Sequence, residues 1–392
     1  MSDPVKPVPG DVLLGRLNRM RDWARAEGLA ALVVFGQGSA LGNASRSHGN
    51  LRFLLDWDAD AAHSALVLPI EGKPSLAVAN IFAALRAEEH PLLDQVRFGK
   101  GPSFADAVLD LIPRGASRIG IAGRDEVPVS VWSSLVSRGA GDWTSCEPEL
   151  GRMRALKDEI QLAYHRQAAK ICDRLFEELG PALRSGLPVW RIQTKLETLG
   201  RELGCEHCDT WLTVRPIADR CRYVPVENTN LPQEGDQALL GIMLMYQGHW
   251  GHAIRTGSIG KPSAAAQRTY DIVDELHAAM LAELHPGADL RAVGAAGIYK
   301  GDELGPCFQF RSGHALGHSY EDPIGSSEFP QPYDKTVALP PEPRPAQAGM
   351  LFEFHPNVFI ENYAGASIGD MVLLTENGPE LMTQYPRRLL AF

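Results

Sequence analysis

The chain has 392 residues, 44% hydrophobic and 22% charged, an ordinary soluble composition with enough length for two domains and a sizeable core. Its net charge is −10 with no block of Lys and Arg, which excludes a surface built to track a phosphate backbone, so no nucleic-acid partner is expected. The most apolar stretch, Ala238 to Tyr246, is too short to span a bilayer, and the N-terminus lacks a basic segment followed by an apolar one, so a cytoplasmic protein without a membrane partner is expected. Residues 11–27 place Leu13, Leu14, Leu17, Met20 and Trp23 at helical spacing, and Gly28 closes that helix. Strands are predicted at Ala31–Phe35, Asn50–Leu55, Ser64–Pro69, Ser75–Ala79 and Arg118–Ala122, with a helix over 103–113. This alternation predicts an N-terminal α/β domain over residues 1–152.

A second domain is predicted over 153–392. It opens on a long helix whose apolar period runs from Ile160 to Leu179, and Gly186 and Pro188 separate it from another at 189–203. Strands follow at 209–215, 238–246, 251–257, 307–314, 350–360 and 366–374, with helices at 263–285 and 288–300. Runs of strands set apart from runs of helices predict an α+β domain, a curved antiparallel sheet backed by helices. Six cysteines in so long a chain do not suggest a disulfide framework. Cys205 and Cys208 stand at CxxC spacing without a second pair, so they read as reduced thiols.

Three histidines carry the chemical signal: His252 in GHWGHAIRTG, His314 in SGHALGHSYEDP and His355 in GMLFEFHPN. Their frames come with further cues in a fixed order. These are Lys157–Ile160, Glu234–Asp236, Arg255–Thr256 with Gly260–Pro262, Gly313–His314 with Gly317, Gly349–Met350, and Asp370–Leu381. In this the chain resembles the pita-bread superfamily of creatinase, prolidase and aminopeptidase P. The resemblance implies a C-terminal pita-bread fold over roughly 156–392, a creatinase-like N-terminal domain and a homodimer. It also implies five ligands for two divalent metals, and here the chain departs from the pattern. The first Asp falls on Gly241, the second on His252, the first Glu on His355 and the last Glu on Gly369, while the His is kept as His314.

Two metals a few ångströms apart need bridging carboxylates, and glycine has none to offer. A two-metal peptidase centre is therefore not expected. His252, His314 and His355 can hold one divalent ion, with Fe, Mn and Zn all compatible with imidazole. Glu353, on the same strand face as His355, would then be a fourth ligand, an acceptor for an imidazole N–H or a general base. A metal-free route is the alternative, with a histidine and carboxylates doing acid–base work as the resemblance to creatinase implies. Candidate catalytic residues are His314, Glu353, His318 and Arg222. The resemblance places Arg222 where the family keeps a substrate-side histidine; as a bidentate clamp it points to a small polar or anionic substrate. Trp57, Asp58 and Glu321 are further substrate-side candidates. The expected function is hydrolysis of a C–N bond in a small polar metabolite. The alternatives are a lyase or three-His iron oxygen chemistry on the same fold, or a non-catalytic binding protein.

Overall fold

The computed structural model describes residues 7–139, 141–334 and 336–392. The chain forms two compact units. One holds the residues up to Arg154 together with His318–Tyr320, and the other holds Ala155–Gly317 and Glu321–Phe392.

In the N-terminal unit, helix α1 (Gly10–Ala26) leads into strand β1 (Ala31–Gln37). After helix α2 (His48–Leu55) come β2 (His63–Pro69), β3 (Ser75–Val78), α3 (Ile81–Ala87), β4 (Val96–Phe98), α4 (Pro102–Leu111), β5 (Arg118–Ala122), α5 (Val129–Arg138) and β6 (Asp142–Ser145). The strands make one mixed sheet in the order β4-β3-β2-β1-β5-β6, parallel except at β1–β2 and β2–β3. One apolar cluster with Leu32, Val34 and Leu66 and another with Val33, Phe35 and Val67 cover its two faces, as strand alternation requires. The predicted strand at 50–55 is instead helix α2, every residue of which is buried. A helix buried all round has no polar stripe to set its period, so NLRFLL reads equally well as a strand. Asp56 stops it in the left-handed conformation (φ 52°).

The second unit is built on α7 (Glu159–Leu183), which follows α6 (Glu147–Ala155). Asp158 caps α7 reciprocally with Gln161, so the helix starts where the sequence supplies a capping box. Helix α8 (Val189–Glu202) precedes strands β7 (His207–Arg215), β8 (Gln237–Tyr246) and β9 (His249–Ser258). These pair antiparallel in full register, with Gly241 opposite both Trp211 and Ile254, and Met243 opposite His252. Directly opposed residues share a face, so Trp211, Gly241, His252 and Ile254 all point to one side. The other side packs on α7, where the ring of His249 stacks on Tyr164 at 4.7 Å.

Helices α9 (Ala264–Glu283) and α10 (Leu290–Ala296) follow, α10 ending short of the predicted Lys300. Strands β10 (Cys307–Phe308) and β11 (Gly313–Ala315) replace the single predicted strand over 307–314. The predicted strand over 350–360 is likewise two, β12 (Leu351–Phe354) and β13 (Asn357–Ile360). His355 and Pro356 interrupt it, since proline has no N–H for a ladder. Strands β14 (Ala364–Ser367), β15 (Asp370–Thr375), β16 (Gly378–Leu381) and β17 (Leu390–Ala391) complete the unit. One sheet runs β11-β12-β15-β16 and another β17-β9-β8-β7, and a bridge between Ile254 and Gly369 links them. Among the described residues no helix is long and apolar enough to cross a membrane.

Candidate metal centre

Four residues of the second unit converge where these strands meet. His314 on β11 lies opposite Glu353 on β12, His252 comes from β9, and His355 follows the end of β12. The ring centroids of the three histidines stand 5.7 Å (His252–His314), 5.8 Å (His252–His355) and 5.3 Å (His314–His355) apart. Glu353 Oε2 lies 3.5 Å from His252 Nδ1 and 3.3 Å from His355 Nε2. One donor atom each from His252, His314 and Glu353 falls within 4.8 Å of the others. His314 turns Nδ1 to the Ala315 carbonyl at 3.0 Å. A proton on Nδ1 satisfies that contact and leaves the Nε2 lone pair as the ligand.

Glu353 is fully buried, and neither carboxylate oxygen has a hydrogen-bond partner among the described residues. A buried carboxylate without donors is costly unless a cation faces it. Burial, joined by the Asp370 charge, pushes its carboxyl well above the usual range. Burial and the nearby Arg311 charge push His252 down to about 3 and His314 well below its ordinary value. For His355 burial again dominates, followed by His252 and Arg311, and its value also falls well below the ordinary one. The imidazoles are thus held neutral, which is the form that binds a metal.

The two glycines that the family resemblance sets at ligand positions sit against neighbouring side chains. A Cβ on Gly241 would overlap the indole of Trp211, and a Cβ on Gly369 would overlap the Glu353 carboxylate and Ile254. The space of one missing side chain is filled by an indole from the neighbouring strand. The space of the other is filled by the Glu353 carboxylate. His252, His314 and Glu353 are therefore close enough to share one metal, and His355 Nε2 lies beside Glu353; this set offers a single carboxylate, which does not fit a bridged pair. Arg255 fixes this end of the sheet. Its guanidinium donates to the Gly369 carbonyl at 2.8 Å, to Asp370 Oδ1 at 2.7 Å and to the Tyr385 carbonyl at 2.8 Å.

The other sequence candidates have the following partners. Glu321 pairs with Arg311. Arg222 stands 4.0 Å from Glu227 and has no contact with the cluster among the described residues. Trp57, Asp58 and His318 belong to the N-terminal unit. There Trp57 donates to Ser64 Oγ at 3.2 Å, Asp58 accepts from the Ser39 N–H at 3.0 Å, and His318 sets its ring edge-on to Phe53 at 6.1 Å. Sequence reasoning missed Trp211. Cross-strand register would have found Trp211, which lies opposite the first ligand position, but register is not visible in one strand alone.

Comparison with known proteins agrees with this architecture. The model of metallopeptidase family M24 matches residues 163–376, more than half of the chain. An uncharacterised peptidase of Staphylococcus haemolyticus is 25% identical over 256 residues, 64% of this chain and 68% of the relative. One from Staphylococcus aureus is 24% identical over 243 residues, and the match covers just under two thirds (64%) of its length. Among solved structures, the prolidase of Pyrococcus horikoshii superposes with a TM-score of 0.78 at 18% identity, covering 96% of this chain and all of that one. The X-Pro aminopeptidase of Thermotoga maritima superposes with a TM-score of 0.79 at 19% identity, covering 96% and 99%. The fold is thus the pita-bread fold of these enzymes, and the chain belongs to metallopeptidase family M24, among the hydrolases.

Proposed function

We propose that this protein hydrolyses a C–N bond in a small polar molecule, at a single divalent metal held by His252, His314, His355 and Glu353. The observation that carries the reading is Glu353, a fully buried carboxylate with no hydrogen-bond donor among the described residues and with imidazoles at 3.3 and 3.5 Å. Such a group asks for a cation, and the three histidines supply the remaining ligands. When bound, the metal supplies Lewis-acid polarisation and an activated water. The chain's own residues set the rest. The Ala315 carbonyl orients His314, Arg255 and Asp370 lock the Gly369 backbone against Ile254, and the Trp211 indole fills the space that a side chain at position 241 would take.

The reading separates this protein from the two-metal peptidase chemistry that the family resemblance implies, because that chemistry needs carboxylates where this chain has Gly241 and Gly369. The test is turnover by metal-loaded protein across simple amides, amidines, ureas and Xaa-Pro dipeptides. Hydrolysis of a non-peptide C–N bond that a chelator abolishes and one equivalent of metal restores is the expected result. Efficient Xaa-Pro cleavage that needs two metals per chain would overturn the reading.

A further inference from the structure

The family resemblance implies an anionic ligand at position 241, and there this chain presents a hydrogen-bond donor instead. A Cβ on Gly241 would meet Trp211 Nε1 before any other atom. Trp211, Gly241, Ile254 and Gly369 are successive cross-strand partners, so they form one row and face one side. The indole therefore reaches from β7 across β8 toward β9, where His252 lies two residues before Ile254 on the same face. At the other end of the row a Cβ on Gly369 would meet Glu353 Oε1 first. Gly241 and Gly369 are two strand spacings apart, about 10 Å, and β9 with His252 runs between them. Trp211 is 3% exposed, and an indole N–H so placed usually finds an acceptor. This one donates to no described residue, and it is not sealed away as the unpaired indole N–H of Trp143 is.

We propose that Trp211 Nε1–H is a substrate-binding donor of this site, and that the substrate carries a neutral carbonyl-type oxygen a few bonds from the C–N bond to be cut. The inference rests on the single-metal reading above and adds a feature of the substrate. A carboxylate at position 241 would draw a cation, whereas an indole N–H, a donor only, draws a lone pair. The lengths agree with a small molecule held between the two ends of the row. Of the roughly 10 Å across two strand spacings, metal bonds to Glu353 and to the substrate take about 2 Å each and an N–H···O bond about 3 Å. About 3 Å remains along a straight line, the span of a few covalent bonds. The alternative role of the indole is to fill the space of a missing side chain. A phenyl ring would serve that purpose as well, and the role gives no reason for an N–H left without an acceptor.

The experiment uses zinc-loaded, full-length protein and two hydroxamates, which chelate zinc through both oxygens. The hydroxamate of succinamic acid carries a second carbonyl oxygen, and that of isocaproic acid has the same shape without it. In nitrogen-correlated NMR the succinamic probe is expected to shift one of the seven indole N–H signals, the one missing from Trp211→Phe, and the isocaproic probe to leave it in place. Trp211→Phe keeps a ring but not the N–H. Its calorimetric affinity ratio, succinamic over isocaproic, should fall about fivefold from wild type, the worth of one neutral hydrogen bond. A Cβ at position 241 takes the place of Nε1, so Gly241→Ala should lose the same discrimination, and it stands in where Trp211→Phe does not fold. Indole signals that ignore the succinamic probe or respond equally to both probes, or a ratio unchanged in Trp211→Phe, would overturn the proposal. Zinc content, measured on the same samples, reports separately. Zinc retained and both probes bound without discrimination sinks the role of Trp211 alone, whereas wild type that takes up no zinc sinks the reading beneath it.

Discussion

At the scale of single residues, the proposed site departs position by position from the ligand pattern that the family resemblance implies. Carboxylates are missing at 241 and 369, imidazoles stand at 252 and 355, and a carboxylate appears at 353. Because Glu353 would be the one anionic ligand, Glu353→Gln should lower metal affinity by at least about 10–100-fold, with hydrolysis lost in parallel; a competition titration against a chelator reads it. Gly369→Ala tests the packing that makes this possible. Its Cβ would displace the Glu353 carboxylate, so both metal affinity and stability should fall, the latter by about 1–3 kcal/mol in urea unfolding. Unchanged metal affinity in this variant would mean that Glu353 is not a ligand held in place by the space at Gly369. The three histidines were legible in the sequence because each sits in a recognisable frame. Glu353 was legible from its two-residue offset on the strand of His355. Trp211 was not, because its place opposite Gly241 arises from strand register.

At the scale of elements, the loop after His314 is anchored to the start of α7. Lys157 and Asp322 form an ion pair at 2.7 Å with both side chains almost fully buried, and the chain between β11 and Asp322 has no other regular structure. Removing one partner leaves a buried charge, so Asp322→Asn should cost about 3–5 kcal/mol. Replacing both by apolar residues should recover part of that loss in urea midpoints. The long amphipathic helices and the sheet strands β7 to β9 could be read from their periodicity and turn residues. Helix α2 could not, since total burial erased its period, and the breaks within 307–314 and 350–360 arise from tertiary geometry around His355 and Pro356. These breaks let His355 leave the strand ladder and meet the other histidines.

At the scale of the whole molecule, family membership fixes the architecture, while the residues at the proposed centre depart from the two-metal pattern that the family resemblance implies. Acid stability has an identifiable contributor in the N-terminal unit. Burial pushes His48 down to about 4, against the nearby Asp58 charge, which raises it, and with Arg52 and Arg154, which lower it. Its folded value lies below the unfolded one of about 6.5, so the unfolded chain binds the proton more readily in that interval. Stability should therefore fall as pH drops from about 6.5 to about 4, by about 3 kcal/mol from this group, with no further change from His48 below that. His48→Leu should flatten this part of the profile in unfolding measured at pH 7, 5.5 and 4.5; an unaltered slope would exclude His48 as its source. The most direct test of the centre is elemental analysis of metal-saturated, desalted wild type beside His252→Ala. One equivalent of Fe, Mn or Zn per chain, lost in the variant, is the expected result. Two tightly held equivalents per chain, or none, would contradict a single-metal centre.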